Sequence, residues 1–432
     1  MHKFVIEGGE KLIGDVRISG SKNEVLPILA ATLLSEMKSV IRNVPNLSDV
    51  RLMLEILEEL GCRTTFENHT VTVTPYDLNR IVASYDLVSQ MRASFCVLGP
   101  LLSSRKRAEV SLPGGCVIGV RPVDLHLRGI KALGVNYELD HGYVKADGRN
   151  MRGTRIFLGG NSGSTVTGTA NILMAAVMAK GTTFIEQAAP EPEVEGLANM
   201  LNSMGAKISG AGSHRIEIQG VDSLRGADYD VQPDRMETAT YAIAAAITKG
   251  DLTLRNSKYE NLIAFWEKLK ETGTQVDQVA DDAVRIQGCE IQPTDIVTFS
   301  YPGFPTDAQA PMIALLATAN GISIVTDTIY PDRFMHVAEL IRMGADIRKQ
   351  NNSAIIHGVK NLSGAQVMGA DLRATAALVL AGLTAKGTTE VHRIYHLDRG
   401  YEQMEQKLAQ VGANIQRAEY NPSRRKSDRN AA

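Results

Sequence analysis

The chain has 432 residues, 44% hydrophobic and 22% charged, which excludes a disordered protein and leaves room for two or three domains of about 150 residues. Its 46 basic and 48 acidic side chains leave a net charge of −2, so no overall field draws it to nucleic acid or to an anionic membrane. Aromatic residues at 5% are too few for a single-strand stacking platform, and no apolar run approaches the ~18 residues that cross a bilayer.

The first ten residues, MHKFVIEGGE, lack an apolar core of signal-peptide length. Cys62, Cys96, Cys116 and Cys289 are scattered and form no CxxC pair. A disulfide framework or a cysteine zinc site is therefore not expected. The chain reads as a cytoplasmic protein without metal or cofactor.

In chain order, Gly61, Gly134, Gly205, Gly273, Gly344 and Gly412 recur at intervals of 68–73 residues, each after a helical pattern and before a β-rich stretch. Every unit has the same internal order. An Ala/Leu-rich helix comes first, as in Ala170–Met178, Tyr241–Ile247 and Ala374–Leu383. A small-residue turn and a strand follow, as in Gly181–Ile185, Gly321–Val325 and Gly387–Val391. A loop then leads to an amphipathic helix, as in Val337–Met343 and Tyr401–Val411. That helix stops at the repeat glycine, which suits a left-handed C-terminal cap. Alternating strands such as Ala206–Ile208 and Arg215–Ile218 close the unit. Six units divide into two domains of three, with a boundary expected between Gly220 and Gln232.

The first helix of each unit opens on polar residues that its buried face does not require. They are Ser21-Lys22-Asn23-Glu24, Gln90-Met91-Arg92, Asn161–Thr165, Asp234-Arg235, Thr306-Asp307 and Asp371-Leu372-Arg373. Capping accounts for part of this: Ser21 with Glu24 fits a capping box, and Asp234, Asp307 and Asp371 are good N-caps. It does not account for Lys22, Arg92, Arg235 or Arg373, because a cation in the first turn opposes the helix dipole. Such cations suggest an anionic ligand, which unpaired N–H groups at a helix start also favour. A second polar ring, before the amphipathic helices, holds Cys116, Arg121, Glu191, Glu193, Arg333, His396, Asp398 and Arg399. Arginine's planar fork suits phosphate and carboxylate.

Cys62, Cys96 and Cys289 fit buried small hydrophobes. Cys116 instead lies in the glycine-rich loop Leu112–Gly119 beside Arg121. A thiol with a pKa near ~8.5 stays protonated at neutral pH and can donate its proton. No GxGxxG turn, P-loop, HExxH or GxSxG elbow is present.

The motifs SGSKN (Ser19–Asn23), LPGGCVIGVRPVDLH (Leu112–His126), PDRMET (Pro233–Thr238), FPTDAQ (Phe304–Gln309), DRFMHV (Asp332–Val337) and HLDRGYE (His396–Glu402) carry a resemblance. The chain closely resembles the UDP-N-acetylglucosamine 1-carboxyvinyltransferases, an enolpyruvyl transferase family, from about Phe4 to Ala418. The resemblance implies an α/β fold of two inside-out domains, each of three βαβαββ-like units. Residues 22–230 would form one domain and 1–21 plus 231–418 the other, leaving 419–432 as a disordered polar tail. It also implies transfer of the enolpyruvyl group of phosphoenolpyruvate to the 3′-hydroxyl of UDP-N-acetylglucosamine with release of phosphate. This addition–elimination reaction is the committed step of peptidoglycan synthesis and the target of fosfomycin.

By matching motif, Lys22, Arg121 and Arg399 would hold the phosphate of phosphoenolpyruvate, with Asn23 beside them. Arg92, Arg333 and Arg373 would lie around its carboxylate and the closing interface, Arg92 also counting among the sugar-nucleotide contacts. Cys116 would protonate the methylene carbon and Asp307 would take the proton from the sugar hydroxyl. Arg121, Pro122, Val123, Asp124 and Leu125 would line the uridine and diphosphate pocket with Asn161, Ser162 and Gly163. Ile329 would lie near the sugar. Because these residues come from both halves, catalysis would require closure. No nucleic-acid or membrane partner is implied. The chain departs from some members in having Ser48 where they carry a lysine, and Asn161 where related enzymes carry a serine.

The nearest rival, 3-phosphoshikimate 1-carboxyvinyltransferase, shares fold and donor but lacks the cysteine loop. RNA 3′-terminal phosphate cyclases share a related repeat, but their catalytic histidine motif is not evident here. A non-catalytic nucleotide-sugar sensor would not need both Cys116 and Asp307.

Overall fold

The computed structural model describes residues 2–114, 123–160 and 163–420. The chain divides into two compact units, Ser19–Asp234 and Met1–Ile18 with Arg235–Ala432, each around its own hydrophobic core. Among the described residues the strands form six four-stranded sheets of one topology. In each, a short edge strand runs parallel to the first long strand, and two further strands follow antiparallel. The fifth sheet is typical, with the order Ile296–Thr298, Ile322–Asp327, Ser353–His357, Asp346–Gln350.

Each repeat places one helix inside and one outside. The inner helices are apolar on every side, which requires burial all round. In Arg235–Ile247 every residue from Met236 onward is buried, and in Leu372–Thr384 every residue from Arg373 to Leu383. The helix expected at Ala170–Met178 runs from Val166 to Ala176. The outer helices, such as Ser48–Glu59 and Pro192–Ser203, bury one face and leave polar residues on the other. All six repeat glycines have φ between 81° and 107°, the left-handed region that lets the chain leave a helix and enter a strand at once. The last outer helix is shorter than its sequence pattern. A 3-10 turn, Ile394–Arg399, comes first, and left-handed Gln403 delays the helix to Met404–Gln410.

The N-terminal strands join the unit that is remote in sequence. His2–Glu7 lies between Thr388–His392 and Asn414–Glu419, and Ile13–Arg17 pairs in parallel with Asp251–Arg255. Asp228–Asp230 completes the first sheet of the other unit by pairing with Ser39–Arg42. Glu419 therefore ends a paired strand rather than opening a tail, and the Tyr420 ring packs edge-on to His392. Cys62 and Cys96 are buried as expected, but Cys289 is only half-buried, in the loop after Ala283–Gln287.

Candidate active site

In the Ser19–Asp234 unit, Lys22 is the first residue of the helix Lys22–Ala31, and Ser21 Oγ accepts the Glu24 N–H at 3.3 Å. The reciprocal half of the capping box is not formed. Glu24 accepts instead from Tyr229 Oη at 3.0 Å and from the Gln232 N–H at 2.9 Å. The cause is tertiary: the stretch before Asp234 runs alongside residues 19–21, and Ser21 N–H donates to the Gln232 carbonyl at 2.7 Å. Asp234 Oδ2 accepts the Lys22 N–H at 3.0 Å, so this carboxylate serves the Lys22 helix from 212 residues away. Lys22 Nζ lies 3.0 Å from Asp49 Oδ2. Ser48, standing where some relatives carry lysine, opens the helix Ser48–Glu59. Asn23 is exposed. Arg92 opens a 3-10 turn that runs into the helix Leu98–Ser104.

Val123 sits at the N-cap of the helix Asp124–Ala132, placing Asp124 and Leu125 in its first turn. Gly160, which pairs with Gly163, approaches this helix so closely that a Cβ on it would meet Leu125 Cδ1 at 3.1 Å. Arg128 Nη2 strengthens the junction by donating to the carbonyls of Phe157 and Gly159, both at 2.8 Å. Leu125 and Gly163, both expected in the nucleotide pocket, are thus neighbours across one junction. Below it, buried His126 contacts Asn171 Nδ2 at 3.0 Å and Thr167 Oγ1 at 3.3 Å. Cys116, Arg121, Pro122, Asn161 and Ser162 lie outside the described residues.

In the other unit, Asp307 does not act as the expected helix cap. Pro305 occupies the N-cap of the 3-10 turn Thr306–Ala308, and the Asp307 carboxylate is taken by two arginines. Arg333 Nη1 donates to Oδ1 at 2.7 Å, and Arg373 Nε donates to Oδ2 at 3.1 Å. Both guanidinium side chains are nearly buried, at 6% and 3% exposure. Burial raises the Asp307 carboxyl, but Arg373 and Arg333 outweigh it and hold the group well below the usual carboxylate range. Asp371 does cap its helix, accepting the N–H groups of Arg373 and Ala374. Arg399 closes the turn Ile394–Arg399, and Asp398 beside it is held by Arg417. The Ile329 N–H donates to Asp327 Oδ1 at 2.9 Å, in the loop that leaves the strand Ile322–Asp327.

Two buried acids were not singled out by sequence reasoning. Asp49 lies in the first turn of an outer helix, where an acid reads as an ordinary dipole partner. Asp327 shares its inward parity with buried Ser323 and Val325, and an acid on the core side of a strand was the signal that could have found it. Among the described residues no group of three or more His, Cys, Asp or Glu side chains could hold a metal ion, and no helix is long and apolar enough to cross a membrane.

In one unit Lys22 sits on Asp49, and in the other Arg333 and Arg373 sit on Asp307. Two guanidinium groups on one carboxylate leave a net positive charge that suits an anion. Residues 6–408 match the family model described as EPSP synthase (3-phosphoshikimate 1-carboxyvinyltransferase). A UDP-N-acetylglucosamine 1-carboxyvinyltransferase from Methylacidiphilum infernorum is 53% identical over 418 residues, covering 96% of this chain and 99% of that protein. The chain belongs to the UDP-N-acetylglucosamine 1-carboxyvinyltransferase family. Proteins with the same description from Geobacter metallireducens and Coxiella burnetii are 49% and 51% identical, each over 96% of this chain and over 99% and 96% of their own lengths. Among solved structures, the enolpyruvyl transferase NikO from Streptomyces tendae superposes with a TM-score of 0.88 at 24% identity, covering 97% of this chain and 99% of that one. EPSP synthase from Acinetobacter baumannii gives 0.74 at 18% identity, over 97% of this chain and all of that one. These two likenesses establish the fold: two domains of three repeats, as the six-glycine period implied.

Proposed function

We infer that the protein transfers the enolpyruvyl group of phosphoenolpyruvate to the 3′-hydroxyl of UDP-N-acetylglucosamine, releasing phosphate and committing the sugar to peptidoglycan. The observation that carries this reading is identity near 50% to proteins of that description over nearly the whole chain. The reaction belongs in the cytoplasm, where both substrates would be supplied.

Phosphoenolpyruvate presents a phosphate and a carboxylate on three carbons, so several cations must meet it. Lys22, with Asn23 beside it, Arg121 and Arg399 take the phosphate in this reading. Arg333 and Arg373 face the carboxylate, and Arg92 stands between the donor and the sugar nucleotide. Val123–Leu125 and residues 161–163 hold the nucleotide, and the Leu125–Gly160 junction supports that grouping. In the addition step the Cys116 thiol protonates the methylene carbon while the sugar oxygen bonds to the neighbouring carbon and its proton passes to Asp307. In the elimination step the carbon–oxygen bond to phosphate breaks, the phosphate leaves with the proton held on Asp307, and the methyl group returns a proton to the Cys116 thiolate, restoring the double bond. A positioned acid and base contribute ~10²–10⁴-fold each. Asp307 is weakly basic while two arginines flank it, so binding of an anionic substrate to Arg333 and Arg373 is what raises its proton affinity.

The test is phosphate release on mixing both substrates, with the product identified by mass as the enolpyruvyl ether. No release overturns the reading. Release with shikimate 3-phosphate but not with the sugar nucleotide would move the chain to the 3-phosphoshikimate reaction.

A further inference from the structure

Asp327 is fully buried, and its carboxylate offers about four acceptor positions. All four are used. Oδ1 accepts from Thr298 Oγ1 at 2.8 Å, from the Ile329 N–H at 2.9 Å and from the Tyr330 N–H at 2.8 Å. Oδ2 accepts from Thr306 Oγ1 at 2.6 Å. Three chain segments therefore converge on one side chain: the end of the strand Ile296–Thr298, the loop after Ile322–Asp327, and the turn that carries Asp307.

The repeat itself marks this position as unusual. Four of the six equivalent strands are followed at once by a left-handed residue, Asn43, Gln187, Asn256 or Arg393, with φ between 54° and 59°. The two that are not are Arg107–Ser111, which leads into the loop of Cys116, and Ile322–Asp327. The second and fifth repeats thus depart from the common turn, and in the fifth the departing loop is pinned by Asp327.

The hydroxyl of Thr306 has one proton. Because that proton goes to Asp327, the oxygen is left to accept, and Arg333 Nη1 donates to it at 3.3 Å. The same Nη1 donates to Asp307 Oδ1. We propose that Asp327 is a positioning residue: it sets the polarity of Thr306, through which Arg333 is held in place against Asp307, while it also fixes the loop of Ile329. The inference rests on the enolpyruvyl transfer reading, in which Asp307 and Ile329 meet the sugar.

An Asn at 327 would keep its carbonyl towards the three donors at Oδ1 and turn its NH2 towards Thr306. Thr306 would then have to accept from it, and its own proton, no longer held by a carboxylate, would be free to turn towards Arg333. The experiment compares Asp327→Asn, Thr306→Val and Thr306→Ser by steady-state kinetics in both substrates. Val keeps the shape of Thr without the hydroxyl, and Ser keeps the hydroxyl without the methyl. Asp327→Asn and Thr306→Val should each lower kcat/KM for the sugar nucleotide about tenfold. Thr306→Ser should stay within about threefold of the parent enzyme, and the double variant Asp327→Asn/Thr306→Val should be no worse than the weaker single by more than about threefold. A packing role predicts the reverse, with Val tolerated and Ser impaired, and that result overturns the proposal. So do parental rates in both Asp327→Asn and Thr306→Val. If Asp327→Asn does not fold, the Val and Ser pair still decides. Absence of product from the parent enzyme would instead overturn the functional reading beneath it.

Discussion

Lys22 Nζ and Asp49 Oδ2 are 3.0 Å apart, with side chains 14% and 4% exposed. Lys22 opens an inner helix, where its charge opposes the dipole, and Asp49 lies in the first turn of an outer helix, where an acid is favoured. The pair offsets the misplaced cation. Lys22→Ala should weaken phosphoenolpyruvate binding about 10–150-fold, the range of a lost charge-assisted contact of ~1.5–3 kcal/mol. UDP-N-acetylglucosamine binding should change less. Titration calorimetry with each substrate checks this, and the opposite ranking would remove Lys22 from the donor site.

In the proposed reaction Asp307 would separate catalysis from binding. Asp307→Asn should lower kcat by ~10²–10⁴-fold if the carboxylate is the base. It should not weaken phosphoenolpyruvate binding, since Arg333 and Arg373 lose a competing anion. Its folded pKa is depressed, so its contribution to stability is fully present above ~pH 4, the unfolded value, and is lost as pH falls below that. The stability difference between the parent and Asp307→Asn should therefore be flat from pH 5 to 8. Urea titrations across that range check it, and a slope there would mean the two arginines do not hold the carboxylate as the geometry indicates.

His336 has the same sign at higher pH, from a different cause. Burial, with Arg333 adding to it and Asp371 opposing, lowers its pKa from the ordinary 6.5 to about 4. The unfolded chain then binds the extra proton first, so stability falls as pH drops from ~6.5 towards 4, by at most ~3 kcal/mol. His336→Leu should flatten that part of the stability curve. Denaturation midpoints at pH 4.5 and 7 measure it, and an unchanged slope would show that His336 is not the group responsible.

The sixfold repeat, the inner helices and the cations at their starts were legible because each rests on local patterns: glycine spacing, apolar runs and first-turn charge. The cap partners were not. Ser21 and Glu24 satisfy the local rule for a capping box, yet Glu24 turns to Tyr229 and Gln232, which only the tertiary fold brings near. Asp307 likewise obeys the N-cap rule but is claimed by Arg333 and Arg373, 26 and 66 residues away. Local propensity of ~1 kcal/mol yields to a charge-assisted bond worth more. Asp49 was hidden for the same reason, since its partner is set by the fold, whereas Asp327 showed only as an acid at a core-facing strand position. The exchange of edge strands also has no periodic signature, because Ile13–Arg17 and Asp228–Asp230 each pair with a strand of a repeat remote in sequence.

Tyr401 supports Arg373 from the side opposite Asp307. Arg373 Nη1 donates to Tyr401 Oη at 2.8 Å, and the guanidinium carbon lies 5.3 Å from the ring centroid. Thr240 Oγ1 is 2.7 Å from the same phenol oxygen and donates its own proton to the Met236 carbonyl at 2.9 Å. With that proton committed, Thr240 can only accept from Tyr401, so the donors run in one direction from Arg373 through Tyr401 and Thr240 to Met236. Chains of this kind strengthen each member, and breaking one link impairs the rest. Tyr401→Phe keeps the ring under the guanidinium and removes the hydroxyl alone, so it should cost about 1–3 kcal/mol by urea denaturation. Thr240→Val should cost a similar amount. The double variant should cost clearly less than the two together, because both delete the same chain. Additive losses would show that Tyr401 and Thr240 act separately, and an unchanged KM for phosphoenolpyruvate in Tyr401→Phe would show that Arg373 does not depend on the phenol for its placement.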